Sequence, residues 1–70
     1  MFKLFDTVKT IKALPEVGIA ADTVGTIVEV YDQPYRAYEV EFANEHGETI
    51  AMLALTAEQV VLDKPFAAMA

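Results

Sequence analysis

Residues 37–42, Ala-Tyr-Glu-Val-Glu-Phe, alternate without exception between apolar and acidic side chains from Tyr38 onward. An extended chain projects successive side chains to opposite faces, so Tyr38, Val40 and Phe42 fall on one side and Glu39 and Glu41 on the other. A helix would scatter the same residues around its axis. The segment therefore reads as a half-buried strand, part of a sheet with one face in a core and one in water.

The flanking residues extend that reading into a hairpin. Asn44-Glu45-His46-Gly47 follows, and its glycine suits the left-handed position of a tight turn. Residues 49–55, Thr-Ile-Ala-Met-Leu-Ala-Leu, then return as the partner strand. Ala51, Leu53 and Leu55 are expected inward, against Tyr38, Val40 and Phe42, with Ile50 and Met52 on the other face.

Three further strands are legible. Residues 6–12, Asp-Thr-Val-Lys-Thr-Ile-Lys, interleave β-branched and charged side chains before running into a loop over 14–23 that contains Pro15 and Gly18. Residues 24–31, Val-Gly-Thr-Ile-Val-Glu-Val-Tyr, carry Ile27 on one face and Val28 and Val30 on the other. Such two-sided apolarity suits a bent strand, with Gly25 a place for a bend, a bulge or close backbone approach. Asp32-Gln33-Pro34-Tyr35 is a turn, Thr56-Ala57-Glu58-Gln59 a single helical turn capped by the Thr56 hydroxyl, and residues 60–62 a short closing strand. Five short strands in this order predict an all-β fold: a five-stranded SH3-like barrel with one short helical turn before the last strand, which lies beside the first. An open meander that completes its sheet by dimerising is the alternative.

Length limits the rest. The chain has 70 residues, enough for one domain over 1–70 with 64–70 as a C-terminal tail. With no cysteine there is neither a disulfide nor a thiolate metal cage, so burial of Val, Ile, Leu, Phe and Tyr must carry the stability. The same absence, with no long apolar run behind Lys3, leads us to expect a cytoplasmic protein without a membrane span.

A formal net charge of −6 is distributed unevenly, for no base stands between Arg36 and Lys64 while Glu39, Glu41, Glu45, Glu48, Glu58 and Asp63 do. Such a surface repels a polyanion, which argues against nucleic acid as a partner. No serine or cysteine is present as a nucleophile, and no glycine-rich phosphate loop appears. His46 between Glu45 and Glu48 has metal-ligating types, but a solvated hairpin tip lacks the fixed second shell a metal needs. Glu39 and Glu41 solubilise the outer face of a sheet rather than pair as catalytic acid and base. No catalytic residue, metal, cofactor or small-molecule substrate is therefore expected, and the chain is read as non-enzymatic.

Two groups remain as protein-binding candidates. Tyr31, Tyr35 and Arg36 surround Pro34 in one turn, and aromatic side chains beside acidic loops can grip proline-rich segments. Ile50 and Met52, together with Phe66 and Met69 of the tail, form an apolar set that either the tail or another subunit would cover. The expected role is a small acidic protein-binding module, a homo-oligomer or the antitoxin-like or immunity-like partner of another protein. A nucleic-acid-binding barrel of the KOW kind is the alternative.

The succession Asp6-x-Val8, Leu14-Pro15-Glu16, Gly25-Thr26-Ile27-Val28-Glu29-Val30-Tyr31, Tyr38-Glu39-Val40-Glu41-Phe42 and Gly47-Glu48-Thr49 resembles the small bacterial proteins grouped as domain of unknown function 4926. The resemblance spans about residues 2 to 62 and implies the same barrel. It carries no catalytic residues over, because that family has no established activity. One departure is Ala21, where the pattern calls for glycine ahead of Asp22.

Overall fold

A computed structural model describes residues 2–63. Five strands, β1 (Thr7–Thr10), β2 (Val24–Tyr31), β3 (Ala37–Ala43), β4 (Thr49–Leu55) and β5 (Val60–Leu62), form one antiparallel sheet in the order β4-β3-β2-β1-β5. The all-β, five-stranded arrangement is the one expected, with the last strand beside the first. Among the described residues no ladder joins β4 to β5, which stand as the two ends of the hydrogen-bonded order.

Alternation decides the register. Tyr38 faces Leu55, Val40 faces Leu53 and Phe42 faces Ala51, so the inward set of β3 meets the inward set of β4. Tyr38, Val40, Phe42 and Leu55 are buried with Val8, Leu14, Ile19, Ile27 and Val60, while Ala51 and Leu53 are half-buried against them. Phe2 adds an edge-to-face ring contact to Tyr38, with centroids 5.2 Å apart at 68°.

The two-faced apolarity of β2 has a specific origin. Ile27 pairs with Val40 but Glu29 pairs with Glu39, which leaves Val28 as an extra residue in a β-bulge. The bulge flips the parity: Ile27 points inward before it, and Val30, opposite Tyr38, packs on the core after it. Gly25 plays another part. A Cβ there would lie 2.6 Å from Val40 Cγ1 and 3.0 Å from Phe42 Cδ1, so this glycine lets β2 and β3 close together.

Three local expectations are corrected. The first strand spans Thr7–Thr10 rather than 6–12, because Ile11 leaves the ladder and donates its N–H to the Gln59 carbonyl at 3.0 Å. The loop over 14–23 is more ordered than a plain loop: Leu14 and Ile19 form an antiparallel bridge around a 3-10 turn, Pro15–Val17, and both enter the core. Gly18, with φ of 72°, ends that turn. At Thr56 the cap is inverted, since Gln59 Oε1 accepts from the Thr56 N–H at 2.9 Å and from its hydroxyl at 3.3 Å. Nor is the turn helical: residues 56–59 form a plain turn closed by the Gln59 N–H on the Thr56 carbonyl at 3.0 Å, and the 3-10 turn of this chain lies at Pro15–Val17 instead.

The loop is fastened by one buried hydroxyl. Thr10 Oγ1 donates to the Ala20 carbonyl at 2.9 Å and accepts the Thr23 N–H at 3.0 Å. Besides Gly18 its left-handed residue is Asp22, with φ of 63°, and aspartate tolerates that conformation, so the turn needs no glycine at Ala21. No described helix is long and apolar enough to cross a membrane.

Candidate functional site

The outer face of β2, β3 and β4 is organised in cross-strand rows. Glu29 lies opposite Glu39, which lies opposite Ala54; Thr26 lies opposite Glu41, which lies opposite Met52. Three carboxylates thus share a surface with Met52, and at the end of β4 Ile50 joins them. Ile50 is the extra residue of a second bulge, where the register passes from Phe42–Ala51 to Ala43–Thr49. The two apolar side chains are 54% and 51% exposed, as the alternation of this strand predicted.

Neighbouring polar groups hold the carboxylates in place. The Tyr31 hydroxyl donates to Glu39 Oε1 at 3.3 Å, and the Thr49 hydroxyl donates to Glu41 Oε2. Partial desolvation, then the Glu39 carboxylate, pushes the Tyr31 phenol above its ordinary value, since both disfavour a second negative charge. Tyr31 therefore belongs to the acidic face as a neutral hydrogen-bond donor.

The other turn candidates are engaged differently. Arg36 Nε stands 2.5 Å from Asp32 Oδ1, and hydrogen bonds to Tyr38 and then Asp32 raise its already high pKa. Its guanidinium accordingly ties the turn after β2 to the hydroxyl of a core tyrosine. Tyr35 is 63% exposed. Phe66 and Met69, of the tail expected as one of two alternative covers for Ile50 and Met52, lie outside the described residues.

At the hairpin tip, Asn44 organises the turn through its own side chain. Its Oδ1 accepts the N–H groups of His46 at 2.9 Å and Glu48 at 3.0 Å, while Nδ2 donates to Glu48 Oε1 at 2.8 Å. His46 Nε2 is 3.8 Å from Glu45 Oε2 with both side chains largely in water. Among the described residues no group of three or more His, Cys, Asp or Glu side chains is placed to hold a metal ion.

Two features escaped the sequence reading. Leu4 and Phe5 are exposed on a turn in which the Asp6 N–H donates to the Lys3 carbonyl at 3.0 Å, and Phe5 has φ of 68° with 74% exposure. A bulky residue rarely takes that conformation, and no periodicity signals it. The second is a surface depression of about 350 Å³ lined by Ile11, Lys12, Ala13, Leu14, Glu58 and Gln59, which exists only because the Thr56 turn folds beside the end of β1.

No curated protein and no solved structure matches the chain. The model of one family covers residues 4–62, nearly every described residue, including the bulged β2, the acidic outer rows and the hairpin that carries His46. The chain therefore belongs to the family described as Domain of unknown function (DUF4926).

Proposed function

We propose that this chain is a small, acidic, non-catalytic protein-binding module whose contact surface is the outer face of β2, β3 and β4. The observation that carries the reading is the adjacency of Met52 to Glu41, with Ile50, Glu29, Glu39 and Tyr31 around them. An apolar centre edged by charge is the anatomy of a protein contact, and the carboxylates favour a partner with complementary basic side chains. A toxin or enzyme held inactive by such a module, as by an antitoxin or immunity protein, is a partner of that kind. Absence of cysteine suits a reducing cytoplasm.

The nucleic-acid reading has less support. Of the bases before Lys64, Arg36 is already paired with Asp32, and the acidic face presents none.

The test is retention of proteins from a host lysate by the tagged chain, its Glu39→Lys/Glu41→Lys variant and a His46→Ala control. The reading expects proteins held by the wild type and the control to be released by the double variant, and held less as salt rises. Equal retention by all three would refute it, and a turnover lost in His46→Ala would refute the non-catalytic assignment.

A further inference from the structure

The two edges of this sheet are unequal. β5 is three residues long, and a short edge strand is one of the ways in which proteins keep an edge from pairing with another chain. β4 is seven residues long, Thr-Ile-Ala-Met-Leu-Ala-Leu, with neither a charged residue nor a proline in it. Among the described residues it pairs with β3 on one side and with no strand on the other. Its bulge at Ile50 is the one protective feature present, and it lies next to the first residue of the strand.

We propose that β4 pairs antiparallel with β4 of a second copy of this chain, about a twofold axis at Met52, joining two sheets into one of ten strands. The proposal goes beyond the outer-face reading: the seam is the free backbone edge of β4, and the acidic rows of β2 and β3 stay open to a basic partner.

Self-complementarity selects the occupant. Met52 is the middle residue of β4, so a twofold axis there uses the whole strand. On the outer face it sets Met52 against the second copy's Met52 and each exposed Ile50 against an Ala54. On the inner face it sets Ala51 against Leu53. Large side chains meet small ones at both positions, and an isologous contact requires this of a single sequence.

Charge permits the pairing despite the net −6 of each chain. No charge lies in β4, and the nearest carboxylates in cross-strand line with Met52 are those of Glu41 on β3. Two such glutamates would be three strand spacings apart, about 14 Å. That exceeds the screening length of about 8 Å at physiological ionic strength. A basic strand from another protein would find no carboxylate on β4 itself to pair with. The contact is small beside a standard interface of about 1,600 Å², so the dimer is weak and exchanges with monomer.

Sedimentation of the full chain from micromolar to millimolar concentration, at low and high salt, tests the proposal. A reversible monomer–dimer equilibrium is expected, strengthened by salt because the two acidic chains repel each other less; a basic partner would be weakened instead. Met52→Lys and Met52→Glu should each raise the dissociation constant by about tenfold or more, since each sets like charges opposite one another. A mixture of the two should recover dimer as a heterodimer. Circular dichroism of each variant establishes that the exposed substitution leaves the fold intact. A wild type that stays monomeric throughout, or single variants that dimerise as it does, would overturn the proposal. Neither result touches the lysate experiment, whose Glu39 and Glu41 substitutions lie off the seam.

Discussion

Gly25 sits so close beneath Val40 that a single methyl group would not fit: its Cβ would lie 2.6 Å from Val40 Cγ1 and 3.0 Å from the Glu41 carbonyl oxygen. Both neighbours belong to the central β2–β3 pairing, and the backbone carbonyl cannot swing aside as a flexible side chain would. Gly25→Ala should therefore destabilise the fold by about 1 to 3 kcal/mol, the usual range for overpacking. Urea denaturation checks this: the midpoint should fall with the slope unchanged.

Thr10 fastens the long first loop. Its hydroxyl, fully buried, satisfies both the Ala20 carbonyl and the Thr23 N–H. Thr10→Val keeps the shape but removes both bonds, and should cost about 1 to 3 kcal/mol. Amide exchange should also speed up at Thr23; an unchanged rate there would show that the hydroxyl does not hold the loop.

Glu29 and Glu39 face each other directly across β2 and β3. Like charges in that position repel, so Glu29→Gln should stabilise the fold by about 0.2 to 1 kcal/mol at low ionic strength. The gain should shrink in molar salt, where the screening length is about 3 Å. Thermal unfolding at two salt concentrations measures it. If the outer face is the contact surface, the same substitution should weaken retention of a basic partner, so stability and binding would move in opposite directions.

Tyr31 supplies the alkaline limit. Its phenol titrates above the ordinary 10.0 because desolvation and the Glu39 carboxylate disfavour the phenolate in the folded chain. A raised folded value makes this contribution fully present below the ordinary pKa and lost as pH rises through the folded one. Stability of the wild type relative to Tyr31→Phe should therefore fall only above a pH of about 10. Denaturation midpoints of the two proteins across neutral and alkaline pH, with tyrosinate absorbance to follow the titration, test the assignment.

The central sheet was legible because alternation is a local property. The strict pattern of Tyr38 to Phe42 and the looser one of Ile50 to Leu55 each name an inward face before any partner is known. Their register then follows from matching apolar rows through a hairpin closed at Gly47, with φ of 81°. The exposure of Ile50 and Met52 was readable for the same reason. What stayed hidden depends on contacts between distant segments. Two apolar faces in β2 do not say that Val28 is extruded, since that is decided by which residues of β3 it must face. Nor does Leu14-Pro15-Glu16-Val17-Gly18-Ile19 announce that both ends of a loop enter the core, which needed the buried Thr10 hydroxyl and the bridge to hold them there. The acidic rows were half visible. Period two assigned Glu39 and Glu41 to one face of their own strand, but only the pairing of β2 with β3 brought Glu29 opposite Glu39 and Tyr31 within reach of it. A strand's faces are set by its own residues; what lies across from it is set by the rest of the chain, because strands far apart in sequence become neighbours only through the fold.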